Sequence, residues 1–461
     1  MLEDPLQLLI ERLEQANARR RGRTRQVGLE LKFPVVVRPT GKAPSREAIQ
    51  GIWRRLEERG WQLLRDAHSD RAVGAKQATG GGTDVVSSAT GYCVIELATA
   101  PQPCLASLEQ RVRAALEPIL RHCRDQGLQL LGQGIHPITA PSPALLTAKG
   151  RNLFWDDVFD HGDPQVGVYL FTTTAASQAH VDIATEEIAD ALAVFNGLAA
   201  AQIALNANSA VWANRVDPRH KAVHESFWDR WLPDEDRVGM PTARPASPEG
   251  YLRRLLDLKP VYVERGGEPI MLPSFASFSE FSASRHPIGV TGEGKQVEIE
   301  PRAEDLDLHL TFCWHNARIS RYCTLENRVN CQQPPEAMLA VGALSLGLSE
   351  GLQEARQLVD RYRWADLRAA RREAIQRGLE ARVDDQLLSV LCREMLEIAS
   401  RGLRARGRSE ERYLAPLWER LSRARCPADQ AASAFRRRGI EGIFERFAIN
   451  EKFEDRGGDR S

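Results

Sequence analysis

Apolar and polar residues alternate along several short segments of the chain, and this period of two predicts β-strands. In VGLELKFPVVV, residues 27–37, Leu29, Leu31 and Phe33 fall on one face, while Glu30 and Lys32 fall on the other. The same alternation or a hairpin signal predicts further strands: two about Gly91 in 83–101, two runs in 164–184, a hairpin at Gly266-Gly267 in 260–272, one strand in 307–312 and one in 322–334.

Other segments show the period of about 3.6 residues that is typical of helices. In residues 45–61 the apolar stripe is formed by Ile49, Ile52, Trp53 and Leu56. The remaining predicted helices cover 1–24, 105–127, 186–207 and most of the chain from 336 onward, and the predicted loops cover 79–83, 239–250 and 282–296.

This order of elements predicts an α+β fold. One antiparallel sheet is expected, backed by helices and followed by a helical C-terminal region. The expected division has three parts: an N-terminal helical arm of residues 1–25, an α+β domain of residues 26–335, and a helical region of residues 336–461 packed on the same domain.

The composition limits the classes of protein. The 461 residues include 62 basic and 62 acidic residues, and the pI is near 7.2. Proteins that bind nucleic acid or a membrane surface usually carry a basic excess, so neither partner is expected. The eight cysteines show no CxxC spacing, which favours reduced thiols. The N-terminus has no apolar signal region, and amide side chains interrupt the apolar segment 189–214, so a cytoplasmic location is expected.

The polar faces of the predicted strands carry an unusual set of side chains. Alternation in residues 322–334 places Thr324, Glu326, Arg328 and Asn330 on one face. The other strands contribute Glu30, Lys32, Glu96, Gln178, His180 and Asp182. Carboxylates and a histidine suit Mg²⁺ or Mn²⁺, and arginine suits a phosphoryl group, so the set favours phosphoryl transfer. A solvated sheet face or a structural network of ion pairs would produce the same pattern.

Five motifs give the chain a family resemblance, and no phosphate-binding GxxxxGK[ST] motif accompanies them. VGLELKF, VIELATAP, GIHPITAP, LNANSAVW and LENRVNCQQP occur in the order found in the glutamate–cysteine ligase family, in its plant-type and carboxylate–amine ligase branch. The chain resembles that family over most of residues 26–440. The resemblance implies a glutamine-synthetase-like fold, whose curved antiparallel sheet forms an active-site funnel for ATP, divalent metal ions and an amino-acid carboxylate.

The resemblance also implies roles for individual residues. Glu30, Glu96 and Glu326 match metal ligands, and Arg328 matches the arginine that meets the transferred phosphate. His180 lies where the family has a His or Gln that faces metal or phosphate, although a lone histidine is often a core residue. Substrate or nucleotide binding is expected for Arg151, Asp182, Asn330 and His136. Asp182 could instead orient His180, and His136 could simply be a turn residue.

The chain departs from the family pattern at several positions. Lys32 stands where a second metal-binding glutamate is expected. The stretch VVSSATGY before Glu96 offers only serines and threonines where the family has a carboxylate, and Asp84 lies several residues away. Cys331 occupies an aspartate position, and His224 stands where arginine is common. Lys32 could replace one metal cation by holding a phosphate oxygen, which makes it a candidate catalytic residue beside Arg328 and His180. The same change could instead mark lost catalysis.

The sequence thus predicts an ATP-dependent carboxylate–amine ligase that uses Mg²⁺ or Mn²⁺. Glutamate or a glutamate-like acid would be activated as an acyl phosphate, and a small-molecule or peptide amine would attack it. The changed ligand positions favour a specialised biosynthetic or peptide-modifying role over ordinary glutathione synthesis. Two alternatives remain open: a catalytically silent homologue that binds a metabolite or a protein, and a phosphotransferase of the guanidino-kinase type.

Overall fold

The computed structural model describes residues 4–158, 163, 166–232 and 236–449. The strands are β1 Val27–Val37, β2 Gln62–Arg65, β3 Ala72–Thr79, β4 Gly82–Ser88, β5 Val94–Ala98, β6 Leu128–Leu131, β7 Ala176–Asp182, β8 Val211–Trp212, β9 Arg215–Val216, β10 Val238–Gly239, β11 Tyr262–Arg265, β12 Glu268–Met271, β13 Ile288–Thr291, β14 Gln296–Glu298, β15 Trp314–His315, β16 Ala317–Ile319, β17 Thr324–Cys331, β18 Arg382–Val383, β19 Gln386–Leu387 and β20 Ala448–Ile449. The α-helices are α1 Pro5–Arg20, α2 Arg46–Glu57, α3 Leu105–Asp125, α4 Trp155–Val158, α5 Ile188–Gly197, α6 Ala199–Asn206, α7 Val223–Trp231, α8 Pro248–Asp257, α9 Phe278–Ala283, α10 Ala303–Leu310, α11 Ala340–Glu350, α12 Leu352–Asp360, α13 Trp364–Arg377, α14 Leu388–Ala405, α15 Ala415–Ser422 and α16 Pro427–Phe447.

The central feature is an antiparallel sheet with the strand order β16-β17-β7-β1-β5-β4-β3-β2. Strand β1 is long enough to pair with β7 near its start, with β5 in its middle and with β6 near its end. The register sets Lys32 opposite Glu96, and it sets His180 opposite Glu326. These pairings bring the polar residues of distant segments onto neighbouring strands.

One face of the sheet is covered by helices. Leu29, Leu31 and Phe33 of β1 are buried on this face, as their alternation predicts. Helix α11 packs on β7 and β1, α6 packs on β17, and α14 packs behind both helices. At Gly342 of α11 a Cβ atom would lie 3.3 Å from the Leu29 side chain, so the glycine permits close packing. Glu30 and Lys32 therefore face the opposite side.

Smaller elements surround that opposite side. Strands β11 to β14 form a separate four-stranded antiparallel sheet, whose first hairpin turns at Gly266 and Gly267 as predicted. Strand β20, near the end of the described chain, returns to pair with β6 of the main sheet. The α+β fold class, with a large antiparallel sheet and a helical C-terminal region, is confirmed. The division into three parts stays a prediction.

Some element predictions are wrong. The first run of 164–184 contains a 3₁₀-helix at Val168–Thr173, and residues 307–312 lie largely in α10 instead of a strand. Short apolar runs fit a buried helix as well as a strand, which explains both errors. The single helix expected at 186–207 is divided at Leu198, and the expected loops at 79–83 and 282–296 contain strand residues. Strands β2, β3, β6, β16 and β20 of the main sheet were not predicted, and neither were the short strands β8, β9, β10, β13, β14, β15, β18 and β19. Residues 1–3, 164–165 and 450–461 of the predicted segments lie outside the described residues.

Within the described chain, a single helix that is both long and apolar enough to cross a membrane does not occur. The segments Thr185–Gly197 and Ala199–Asn206 meet that test together, by length and composition alone, and they are bent by 47° relative to each other.

Candidate active site

A cavity of about 290 Å³ borders the face of the sheet that the helices leave free. One part is lined by charged and polar side chains: Glu30, Lys32, Glu96, Gln178, Arg318 and Arg328. Another part is lined by aromatic side chains: Trp155, Phe171, Trp228, Trp231, Tyr262, Phe312 and Trp314. The cavity therefore combines a strongly charged floor on the sheet with an apolar wall.

Lys32 joins two carboxylates in the polar part of the cavity. Its Nζ atom lies 2.9 Å from Glu30 Oε1 and 3.1 Å from Glu96 Oε2. Burial disfavours the charged forms, but the Lys32 ammonium and the Arg328 guanidinium hold the pKa of Glu30 below its usual value. Burial likewise opposes the charge on Lys32, yet the two carboxylates raise its pKa. Lys32 thus acts as a fixed cation between Glu30 and Glu96.

Glu326 is neutralised by two arginines. Arg318 donates from Nε to Glu326 Oε2 at 2.8 Å, and Arg328 NH1 contacts Oε1. Burial of Glu326 opposes ionisation, but Arg318 and Arg328 hold its pKa well below the usual range. Arg318 also donates to the carbonyl oxygens of Thr311 and Cys313, each at 2.7 Å. These bonds fix the guanidinium of Arg318, which the sequence analysis missed.

Glu30, His180 and Glu326 could hold one divalent cation. A ligand atom from each lies within 4.8 Å of the other two. Two carboxylates and an imidazole fit Mn²⁺ or Mg²⁺ in donor type. His180 Nδ1 is 3.0 Å from Thr324 Oγ1, so this hydroxyl orients the ring. Glu96 is not part of this three-residue group, and its expected role as a metal ligand stays a prediction.

Arg151 and its neighbour Lys149 lie near the charged floor. Arg151, in the 3₁₀-helix Gly150–Leu153, lines the cavity, and its expected contact with the substrate stays a prediction. Lys149 was missed by the sequence analysis. Its Nζ atom donates to Ser88 O at 2.7 Å, and burial together with the charge of Arg151 lowers its pKa to about 7. Both basic side chains therefore belong to one short segment, at the start of the 3₁₀-helix Gly150–Leu153.

The prediction that Asn330 shares a face with Glu326 is wrong. The pairing of β17 with β7 shifts between Asn327 and Asn330, which is a β-bulge. A bulge adds a residue to one strand and reverses the alternation beyond it. Asn330 consequently accepts a hydrogen bond from Asn206 Nδ2 at 2.8 Å on the helix side, and Asn327 donates to Gln202 Oε1 there at 2.7 Å. Asn330 does not line the cavity.

Asp182 and His136 also lie outside the lining of the cavity. Asp182 Oδ1 lies 2.9 Å from Arg20 Nε, so it attaches α1 to the end of β7 and does not orient His180. His136 is fully buried, and its Nδ1 accepts a hydrogen bond from Thr139 N at 3.2 Å. Burial lowers the pKa of His136 to about 3. The structure therefore gives both residues supporting positions in place of the expected substrate contacts.

Helix α7 contributes four lining residues that the sequence analysis did not assign to the site, and two of them, His224 and Glu225, are titratable. Burial, with the charges of Lys32 and Arg328, lowers the pKa of His224 to about 3. Burial raises the pKa of Glu225 to about 7, although Arg371 opposes the shift. The charged pattern HESFWDRW does not by itself show which residues face inward, so only the tertiary structure identifies them.

A second cavity, of about 390 Å³, lies among the C-terminal helices α15 and α16. Its lining includes several arginines: Arg423, Arg425, Arg437, Arg438 and Arg446. It lies apart from the clustered carboxylates of the sheet, and the chemistry is therefore assigned to the cavity on the sheet.

Nearly the whole chain matches a known protein family. Residues 26–447 match glutamate-cysteine ligase family 2. The chloroplastic glutamate–cysteine ligase of Arabidopsis thaliana is 26% identical over 427 residues, which cover 89% of this chain and 76% of that protein. The chloroplastic glutamate–cysteine ligase A of Oryza sativa subsp. indica is 25% identical, covering 89% and 80%.

The fold has a solved counterpart. The crystal structure of glutamate–cysteine ligase from Francisella tularensis in complex with AMP superposes with a TM-score of 0.54 at 10% identity. The match covers 95% of this chain and 90% of that chain. At this identity the likeness concerns the fold alone. The family matched over residues 26–447 is the one that the five sequence motifs resemble.

Proposed function

The chain belongs to glutamate-cysteine ligase family 2, and from this membership and the geometry of its cavity we propose an ATP-dependent carboxylate–amine ligase that works through an acyl phosphate. The acid is glutamate or a glutamate-like carboxylate, and the second substrate is a small-molecule or peptide amine. We also propose, from the sequence, that it acts in the cytoplasm. The solved relative from Francisella tularensis contains AMP, which supports a nucleotide substrate.

The observation that carries the proposal is the convergence of carboxylates, arginines and a lysine in one cavity. Phosphoryl transfer depends mainly on positioning and on neutralising negative charge. Arg328 and Arg318 place guanidinium groups at the cavity. Lys32 places an ammonium group 2.9 Å from Glu30 and 3.1 Å from Glu96. These cations would hold the transferred phosphoryl group, and Arg151 would bind a carboxylate of the acid.

Glu30, His180 and Glu326 would hold a divalent cation, which would supply further charge neutralisation of the nucleotide phosphates when bound. Lys32 occupies the position between Glu30 and Glu96, and an ammonium there excludes a second cation by repulsion. We therefore propose that this protein uses fewer metal ions than a site with a carboxylate at position 32.

The test supplies ATP, Mg²⁺ and glutamate, with hydroxylamine as the nucleophile. Hydroxylamine traps an acyl phosphate as a hydroxamate, so ADP and hydroxamate should form in equal amounts. Glu326→Gln should abolish both products and weaken Mn²⁺ binding, because a metal carboxylate is lost and two arginines lose their partner. Glu410→Gln is the matched control, since Glu410 is also buried and pairs with Arg406, at 2.6 Å.

Other outcomes separate the alternatives. Nucleotide binding without ADP formation, for any acid and nucleophile supplied, would favour a silent homologue. ADP formation with a phosphorylated guanidino compound and no amide would favour a phosphotransferase. Full activity of Glu326→Gln would contradict the assignment of the metal-binding group.

A further inference from the structure

Seven aromatic side chains form one wall of the cavity. Trp228 of α7 and Trp314 of β15 stack with a centroid distance of 5.9 Å and an interplanar angle of 26°. Trp155 meets Trp314 edge-on at 5.8 Å, and Phe171 lies 4.3 Å from Trp228. Such rings attract apolar and aromatic groups, and their faces also attract an ammonium ion. The wall therefore fits a ligand that combines a ring with an amine.

Glu225 places a carboxylate beside this wall. It lies one helical turn before Trp228 on α7, so both side chains lie on the same face of the helix. The residue is 2% exposed and lines the cavity. Its Oε2 atom accepts hydrogen bonds from Arg371 NH2 at 3.0 Å and from Asn316 Nδ2 at 3.1 Å. Its Oε1 atom accepts no hydrogen bond from the described residues, and it is free for a ligand.

The electrostatic environment of Glu225 allows its carboxyl group to gain or lose a proton near pH 7. The charged groups that face it are Arg371 of α13 and Asp229 of α7, and the nearby titratable groups are His224 and Cys331. Burial raises the pKa of Glu225 to about 7, Asp229 adds to the rise, and Arg371 opposes it. A carboxyl group with a pKa near the working pH is a suitable proton acceptor.

Three cations that line the cavity pair with carboxylates of the sheet and, in the proposed reaction, hold the transferred phosphoryl group. Lys32 pairs with Glu30 and Glu96, and Arg318 and Arg328 pair with Glu326. Among the described lining residues, Arg151 is the cation without a carboxylate partner. In the proposed reaction, a carboxylate of the acid substrate binds to Arg151. An acceptor with its own carboxylate would find no matching charge, which disfavours amino acids as acceptors.

We propose that the amine acceptor is a primary amine on an aromatic body without a carboxylate, and that Glu225 accepts a proton from its ammonium group. This inference rests on the proposed ligase function. The ammonium, R–NH₃⁺, gives one proton to Glu225 and becomes R–NH₂. Its nitrogen attacks the acyl carbon, the C–N bond forms, and the C–O bond to phosphate breaks. The phosphate leaves with that electron pair and takes the second nitrogen proton as HPO₄²⁻.

The test compares nucleophiles on the same enzyme with ATP, Mg²⁺ and glutamate. Hydroxylamine is small and largely unprotonated at pH 7, so it needs neither the wall nor Glu225, and its hydroxamate reports the ligase function alone. 2-Phenylethylamine should give an amide with a kcat/KM at least tenfold above that of ethylamine or cysteine. If hydroxamate forms but ethylamine or cysteine is preferred, the inference fails while the proposed function stands. If no hydroxamate forms, the proposed function itself fails.

Two variants test the roles of the residues. Glu225→Gln keeps an oxygen for Arg371 and Asn316, and it should lower kcat for 2-phenylethylamine by about 100-fold or more, a far larger loss than that of the hydroxamate rate. The wild-type amide rate should rise with pH and level off above about 7, since the carboxylate form is the base. In the variant it should keep rising above that pH, because only the free amine reacts. A purely structural role for Glu225 would reduce both reactions equally and leave the pH profile unchanged, which would overturn the inference.

Trp228→Leu should raise KM for 2-phenylethylamine about tenfold or more without changing KM for ATP. Trp418→Leu is the matched control, because Trp418 is also a half-buried tryptophan in a helix. Its Nε1 donates a hydrogen bond to Ser400 Oγ, outside the cavity. A rise in KM for ATP instead of the amine would assign the wall to the adenine ring and overturn the proposed acceptor. Unchanged constants for both substrates would overturn it as well.

Discussion

Replacing Lys32 by methionine would remove the ammonium that joins Glu30 to Glu96. The two contacts measure 2.9 and 3.1 Å, and the three side chains are 19 to 24% exposed. With an effective dielectric constant of about 20, each contact contributes roughly 5 to 6 kcal/mol before desolvation is subtracted. Desolvation removes most of that sum, and breaking a buried pair typically costs about 3–5 kcal/mol. Because some solvent reaches the group, we expect Lys32→Met to lower the free energy of unfolding by about 3 kcal/mol at pH 7.

The pH dependence of this loss has a definite sign. The pKa of Lys32 is raised, so its contribution is present below the unfolded pKa of about 10.4 and is lost as pH rises through the folded value. The pKa of Glu30 is lowered, so its contribution is present above the unfolded value of 4.5 and is lost as pH falls through the folded value. The difference between wild type and Lys32→Met should therefore be largest near neutral pH and should shrink below about pH 4.5.

The assay is urea unfolding followed by tryptophan fluorescence, with and without Mn²⁺. Without the ammonium, Glu30 and Glu96 are free to bind a cation, so Mn²⁺ should stabilise Lys32→Met more than wild type. A cation at 100 times its Kd contributes about 2.7 kcal/mol. Lys295→Met is the control, since Lys295 is exposed on the turn between β13 and β14. A loss below about 1 kcal/mol, or an equal response to Mn²⁺ in both proteins, would refute the account of Lys32 as an internal cation.

Three further outcomes follow from the structure. Asn330→Ala should lower the free energy of unfolding by about 1–3 kcal/mol in urea titrations, because buried amides lose a partner, yet leave the KM values unchanged. Gly91→Ala should destabilise the protein strongly, because the added Cβ would lie 1.8 Å from Thr172 O; a thermal melt within 1 °C of wild type would contradict this. On acidification below pH 4.5, the stability should fall as Glu30 and Glu326, whose pKa values are lowered, take up protons; a wild-type titration of unfolding against pH measures it.

The sequence alone determined the central strands and the family. Period-two alternation in VGLELKF was sufficient to assign Leu29 to the core and Glu30 and Lys32 to the opposite face, because side chains of a strand alternate strictly. The order of five motifs was sufficient to identify the ligase family, which the match over residues 26–447 confirms. Those signals are local, or they depend on order along the chain, and both can be read without coordinates.

Only the tertiary structure decided which of the candidate site residues lie together at the cavity. Arg318 reaches Glu326 across the β16–β17 pairing, and the charge of that carboxylate depends on this contact. Asn330 leaves the site because one bulge reverses the alternation, an event that the residue types do not reveal. Glu225 faces the aromatic wall only because α7 packs between elements far apart in sequence. Pairing, bulges and helix orientation are set by the balance of many distant contacts, which is why a local pattern cannot determine them.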